Sequence, residues 1–213
     1  MRAPFSKPEE HTHILPLFTD PDNQLGYLQI YKCANSTYTN HFRNLGWKKS
    51  WVEGSEVSRQ FAGRPTNQPN PDPKKILVIV RNPVERYVSA LVGVSGSKFD
   101  LKKAQAAVET KDTLYTFNEN HHFWPYTWFI SPWEQFLDRM EFVDMRSSKD
   151  WLLANSLGLP APQQQHLNVG PVIATKAVET FIFKDREMIT RIHEYYANDY
   201  ELLEERGLSY FVT

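Results

Sequence analysis

The sequence predicts an α/β fold built on a central, mostly parallel sheet. The run "KILVIV" (75–80) is continuously apolar and β-branched, as expected of a strand buried on both faces. Strand-like and helix-like segments alternate along the chain. Two abrupt strand-to-helix turns, "IYKCANST" (30–37) and "VRNPVER" (80–86), occur where such sheets place ligands, beyond the carboxyl ends of their strands. A length of 213 residues suits one sizeable core, so a single domain spanning 1–213 is expected.

Residues 1–24 are polar and rich in Pro and Asp, and are expected to form an irregular arm. "LGYLQIY" (25–31) reads as a strand, "STYTNHFRNL" (36–45) as a helix and "WKKSWVE" (47–53) as a second strand. A proline-rich loop follows over 61–73. After "KILVIV", Asn82 suits a helix cap and Pro83 the first helical position, with Val84, Val88 and Leu91 sharing one face. Residues 100–110 read as a helix. "SPWEQFLDRM" opens with a capping-box pattern, Ser131 to Glu134, and "EFVDMR" (141–146) reads as a strand. "SSKDWLLANSLG" is a short helix ending at Gly158. A last long helix is expected from Asp185 to Glu205, with Met188, Ile189, Ile192, Tyr195, Tyr196 and Asp199 along one side.

Hydrophobic content of 41% indicates a folded chain, and a net charge of −1 excludes a general nucleic-acid or membrane-surface binder. Any anion site must therefore be built locally. The single cysteine, Cys33, permits no intramolecular disulfide and points to a reducing, cytoplasmic setting. No window approaches a membrane span.

In the first turn Lys32 follows the strand, while Ser36 and Thr37 open the helix. A helix N-terminus offers free N–H groups and partial positive charge, so it can hold a phosphate without glycine. The plainer reading leaves Ser36 a cap and Lys32 solvated. The order differs from the nucleoside-triphosphate loop, in which Lys directly precedes the Ser/Thr. Lys32 instead stands four residues before Ser36, and "KILVIV" is followed by Arg81 and not by an acid for Mg²⁺. That order disfavours an ATPase or kinase. In the second turn Arg81 supplies a forked donor, and Ser89 lies on the side of Asn82 and Arg86. The plainer alternative pairs Arg81 with Glu85 and makes Ser89 a packing residue.

"YKCANST" and "VRNPVERYVSAL" together resemble the two nucleotide-binding motifs of sulfotransferases that use 3′-phosphoadenosine 5′-phosphosulfate (PAPS). The first is similar to the phosphosulfate loop P-K-T-A-G-T-S, with Tyr31 for Pro and Asn35 for Gly; the second is similar to R-x-P-x-x-R-x-x-S-x. Asn is among the few residues besides glycine that tolerate a left-handed backbone, so a positive φ at Asn35 would leave the loop intact, and any other value would mean that it cradles its phosphate differently. "HFWPYTWFI" (122–130), with Tyr126 where Gln is usual, resembles a segment of the carbohydrate-type branch. "QHLNVG" (165–170) and "YYANDYELL" resemble that branch's C-terminal end.

The resemblance implies a P-loop NTPase-like three-layer fold and sulfuryl transfer to a hydroxyl of a glycan or glycan-like acceptor, with 3′-phosphoadenosine 5′-phosphate (PAP) as product and no metal or nucleic acid. It implies that Lys32, Cys33, Ala34, Asn35, Ser36 and Thr37 hold the 5′-phosphosulfate, and that Arg81 and Ser89 hold the 3′-phosphate. Lys32 would stabilise the leaving group. For the general base His122 is preferred, with a pKa near neutrality, then Glu53; His41 and Glu56 are further candidates. The competing readings are a sulfotransferase-like nucleotide-binding protein without turnover and a small-molecule kinase.

Overall fold

"KILVIV" forms a strand over Lys75–Val80, with every side chain after Lys75 buried. It is the central parallel member of a five-stranded sheet in a computed structural model that describes residues 16–22, 24–50, 72–94, 121–155 and 172–210. The strands are β1 (Leu17–Thr19), β2 (Leu25–Leu28), β3 (Lys48–Ser50), β4 (Lys75–Val80) and β5 (Met140–Asp144), in the order β3-β1-β2-β4-β5. β2 and β5 run parallel to β4, with Leu28 opposite Val78 and Val80 opposite Asp144.

The sheet is mixed, which corrects the mostly parallel expectation. β1 is antiparallel to both β2 and β3. It also lies within the arm expected to be irregular. The cause is a tight turn: Asp20 Oδ1 accepts from Gln24 N at 2.7 Å and Leu25 N at 3.2 Å. So short a connection can join only antiparallel strands.

The described residues divide into two compact units. The first takes those up to Val80 and from Tyr126 to Asn155, and holds the sheet. In it, α1 (Asn35–Asn44) buries Tyr38 and Phe42, with Phe42 5.0 Å from Tyr27. Gly46, at φ 78°, closes α1: its N–H bonds Arg43 O, Trp47 N bonds Phe42 O, and Trp47 stacks on Phe42 at 4.1 Å. This is the αL stop in which a residue beyond the helix packs back on its last turn. A short helix α3 (Tyr126–Ile130) runs directly into a 3₁₀ segment, Ser131–Arg139. Ser131 therefore continues a helix and does not start one, and the expected capping box does not form. α4 covers Ser148–Asn155.

The second unit takes Arg81–Val94, 121–125 and 172–210. It packs α2 (Pro83–Val94) with α5 (Val172–Lys184), α6 (Arg186–Tyr195) and α7 (Ala197–Glu205) around Val84, Tyr87, Leu91, Phe123, Ile192 and Tyr196. The single helix expected over 185–205 is two helices broken at Tyr196, whose backbone (φ −101°, ψ 20°) leaves the helical range. Asp185 caps α6, accepting from Met188 N at 3.1 Å. α5 was not expected. The expected helix at 100–110, most of the proline-rich loop, Gly158 and "QHLNVG" lie outside the described residues.

Candidate active site

Because β2 and β4 are parallel neighbours, the chain leaves both at the same edge of the sheet. After β2, Ile30 is buried and a turn over 31–34 leads into α1. Lys32 (φ 64°) and Ala34 (φ 56°, ψ 22°) both adopt the left-handed conformation, at about 1–2 kcal/mol each for non-glycine residues. The residue between them anchors the turn: Cys33 is fully buried, its Sγ 3.4 Å from the Tyr126 hydroxyl. Tyr31 adds an edge contact to Phe129, ring centres 5.9 Å apart.

Asn35 is the first residue of α1, and the left-handed joint falls on Ala34. Of the two outcomes open for Asn35, the structure gives the one without positive φ; the helix begins one residue earlier than the sequence suggests, and the joint falls before it. Ala34, at the N-cap, makes no side-chain cap to α1, and no acid lies in the first turn. The left-handed step at Ala34 followed by helical residues forms the kind of backbone concavity that collects N–H groups around an anion. Ser36 and Thr37 are partly buried in that first turn. Burial lowers the pKa of Lys32, and no carboxylate among the described residues pairs with it. A partly desolvated ammonium beside a helix N-terminus is electrostatically completed by an anion.

The second turn is built differently. Asn82 caps α2, its Oδ1 accepting from Val84 N at 2.8 Å and Glu85 N at 3.4 Å. Arg81, joined directly to the end of β4, pairs through Nε with Glu85 Oε2 at 3.3 Å. The plainer pairing thus exists, through a guanidinium whose forked shape also suits a phosphate. Ser89 is partly buried two turns along α2.

Arg86 departs from the side it shares with Asn82 and Ser89 on the helical wheel. It is fully buried, donates through Nη2 to the Trp124 carbonyl, lies 3.9 Å from Asp199 and sits over the Tyr196 ring at 5.1 Å. Asp199 is buried as well. An acid on an otherwise apolar helix side was the sequence signal for such a partner.

His122 lies in the turn 121–124, partly buried, its ring 4.5 Å from that of His121. His41 lies on α1, its ring 5.4 Å from Phe42. Glu53 and Glu56 lie outside the described residues. The first unit therefore gathers Lys32, Cys33, Ala34, Asn35, Ser36 and Thr37 on one turn and helix start. The second carries Arg81 and Ser89 on α2, with His122 in a turn packed on that helix through Phe123 and Tyr87. Tyr126, read as a departure from a glutamine position, is the residue that pins Cys33.

No helix among the described residues is long and apolar enough to cross a membrane. A model of the sulfotransferase family matches residues 15–204. No curated protein and no solved structure matches the chain significantly.

Proposed function

This chain belongs to the sulfotransferase family, and we propose that it moves a sulfuryl group from PAPS to a hydroxyl of a carbohydrate or similar acceptor in a reducing, cytoplasmic setting. The observation that carries the donor assignment is the turn at 31–34. Two left-handed non-glycine residues lead into a helix whose N-cap, Ala34, makes no side-chain cap, with a partly buried lysine at its mouth. Backbone strain of this kind persists where a function uses it. The chemistry of the turn fits a phosphate-ended anion.

PAPS supplies an activated sulfuryl group on a mixed anhydride. In this reading the N–H groups at the start of α1, with Ser36 and Thr37, bind the 5′-phosphosulfate. Lys32 neutralises charge on the departing phosphate oxygen, the atom where it develops. Arg81 and Ser89 bind the 3′-phosphate, the group that distinguishes this donor from ATP. His122 takes the proton from the acceptor hydroxyl as that oxygen bonds to sulfur, and the S–O bond to the phosphate breaks. Phe123, Trp124, Tyr126 and Phe129 are core residues, so the carbohydrate acceptor rests on the resemblance of segment 122–130 to the carbohydrate-type branch and not on an exposed ring platform.

Calorimetry tests the donor assignment. The chain is expected to bind PAP, to bind 5′-AMP far more weakly, and to lose that discrimination in Arg81→Ala. Absence of PAP binding in the parent chain would overturn the reading.

A further inference from the structure

We infer that Arg86 and Tyr196 are positioning residues for His122, acting through two consecutive backbone carbonyls. The inference rests on the sulfuryl-transfer reading for what His122 does, but its geometry stands within the second unit alone. In the turn bearing His122, Trp124 N bonds His121 O at a long 3.4 Å. The carbonyls of Phe123 and Trp124, the two residues after His122, are each taken by a buried side chain from a remote element. Tyr196 OH donates to Phe123 O at 2.6 Å, and Arg86 Nη2 donates to Trp124 O. Both donors are fully buried.

Packing alone does not account for this pair. Apolar side chains of the same volume would fill the space without the desolvation of a buried guanidinium, whose charge here faces the buried Asp199 at 3.9 Å. What polar groups add is direction. Bonds to successive carbonyls fix two successive peptide planes, and Pro125 locks the backbone immediately after them. The chain on the C-terminal side of His122 is thereby held from α2 and from the α6–α7 junction. α2 is also the helix that begins after Arg81 and carries Ser89. A fault in the hold should therefore impair proton transfer while leaving nucleotide binding intact.

Tyr196→Phe removes one hydroxyl and keeps the ring. The expected result is a kcat lower by roughly tenfold, the scale on which small misplacements of a reacting group act. PAP affinity should be unchanged, and amide hydrogen exchange should be faster at 122–124 but not within α2. Arg86→Lys, which keeps charge and a donor, should retain more kcat than Arg86→Met. Parent-like kcat and exchange in Tyr196→Phe would overturn the inference, as would kcat, PAP affinity and Tm falling together, which is the mark of a merely structural role. Full turnover in His122→Gln would overturn both the base assignment and the inference. If the parent chain transfers no sulfuryl group, the sulfuryl-transfer reading falls separately, and the exchange rates alone uphold or overturn the hold on the turn.

Discussion

The two strand-to-helix turns are built of different materials. At α1 the N-cap itself contributes no side chain: Ala34 enters the helix in a left-handed conformation, and no acid occupies the first turn. At α2 the N-terminus is already served. Asn82 accepts from two first-turn amides, Pro83 has no amide hydrogen to offer, and Glu85 places a negative charge in the first turn. An anion at α1 can be held by backbone and helix dipole, with Lys32 as the added charge. An anion at α2 must be held by side chains, Arg81 and Ser89. Strain accompanies the first arrangement and a competing ion pair the second.

Substitutions should divide along that line. Lys32→Ala, which strips the one mobile charge from the open helix end, should lower kcat by about 10²–10³-fold, as for loss of one preorganised donor at a developing negative charge. Turnover measured at saturating donor checks this; a change confined to KM would place Lys32 in binding only. Arg81→Ala should weaken PAP binding by roughly 10- to 100-fold, the scale of a charge-assisted contact, with a smaller effect on kcat. Glu85→Gln sharpens the contrast, because it removes the carboxylate that competes for Arg81. PAP should then bind a few-fold more tightly, in keeping with the modest strength of partly exposed ion pairs. Weaker binding in Glu85→Gln would mean that the carboxylate orients the guanidinium and does not compete with the phosphate.

How far these features could be read from the sequence follows from how local their causes are. "KILVIV" was legible to the residue, because an unbroken apolar run ends abruptly at Arg81. The Asn82 cap was legible because the capping group and its amides lie within a few residues. The strand-to-helix turn at Lys32 was legible for the same reason, since the residues that make it are adjacent in sequence. β1 was not legible: strand Leu17–Thr19 is too short to display a period, and its direction is set by the Asp20 turn. Nor was α5, since "VIATKAVETFIFK" mixes β-branched and helix-favouring residues without a clear period. Arg86 sits on the helical wheel with Asn82 and Ser89, but its long side chain turns to a carbonyl and an acid that only the fold brings near. The residue at the helix break, Tyr196, likewise makes a contact that only the fold supplies, its hydroxyl donating to Phe123 O.

The charge on Lys32 gives the open turn a pH signature that the capped one lacks. Burial lowers its pKa from the ordinary value near 10.5. Between the lowered value and 10.5 the unfolded chain binds more protons at this group than the folded one, so its contribution to stability rises with pH across that window. Below it both states are protonated and the desolvation penalty is fully present. A bound phosphate favours the charged form and restores the pKa, so binding in this window takes up a proton. PAP affinity should therefore fall as pH rises through the lowered value. Calorimetry in buffers of different ionisation enthalpy would detect the uptake, and Lys32→Arg, which stays charged, should abolish it. A pH-independent affinity over that window would mean that Lys32 does not meet the anion.

The smallest expected effect bears most directly on how a glycine-free loop is built. If the left-handed joint falls on Ala34, then Ala34→Gly removes a steric penalty and should stabilise the chain by about 1 kcal/mol, less the extra chain entropy that glycine brings to the unfolded state. Asn35→Gly puts glycine at the first helical position, where it gains nothing sterically and should be neutral or destabilising by up to about 1 kcal/mol. Urea unfolding at one pH separates the two, and the sign of the difference is the test. Stabilisation by Asn35→Gly and not by Ala34→Gly would move the joint to residue 35, the position of glycine in the pattern P-K-T-A-G-T-S. The ordering expected here has the opposite meaning. A helix that starts one residue early has shifted the strained position onto alanine, and the fully buried Cys33, held by Tyr126, is what keeps it there.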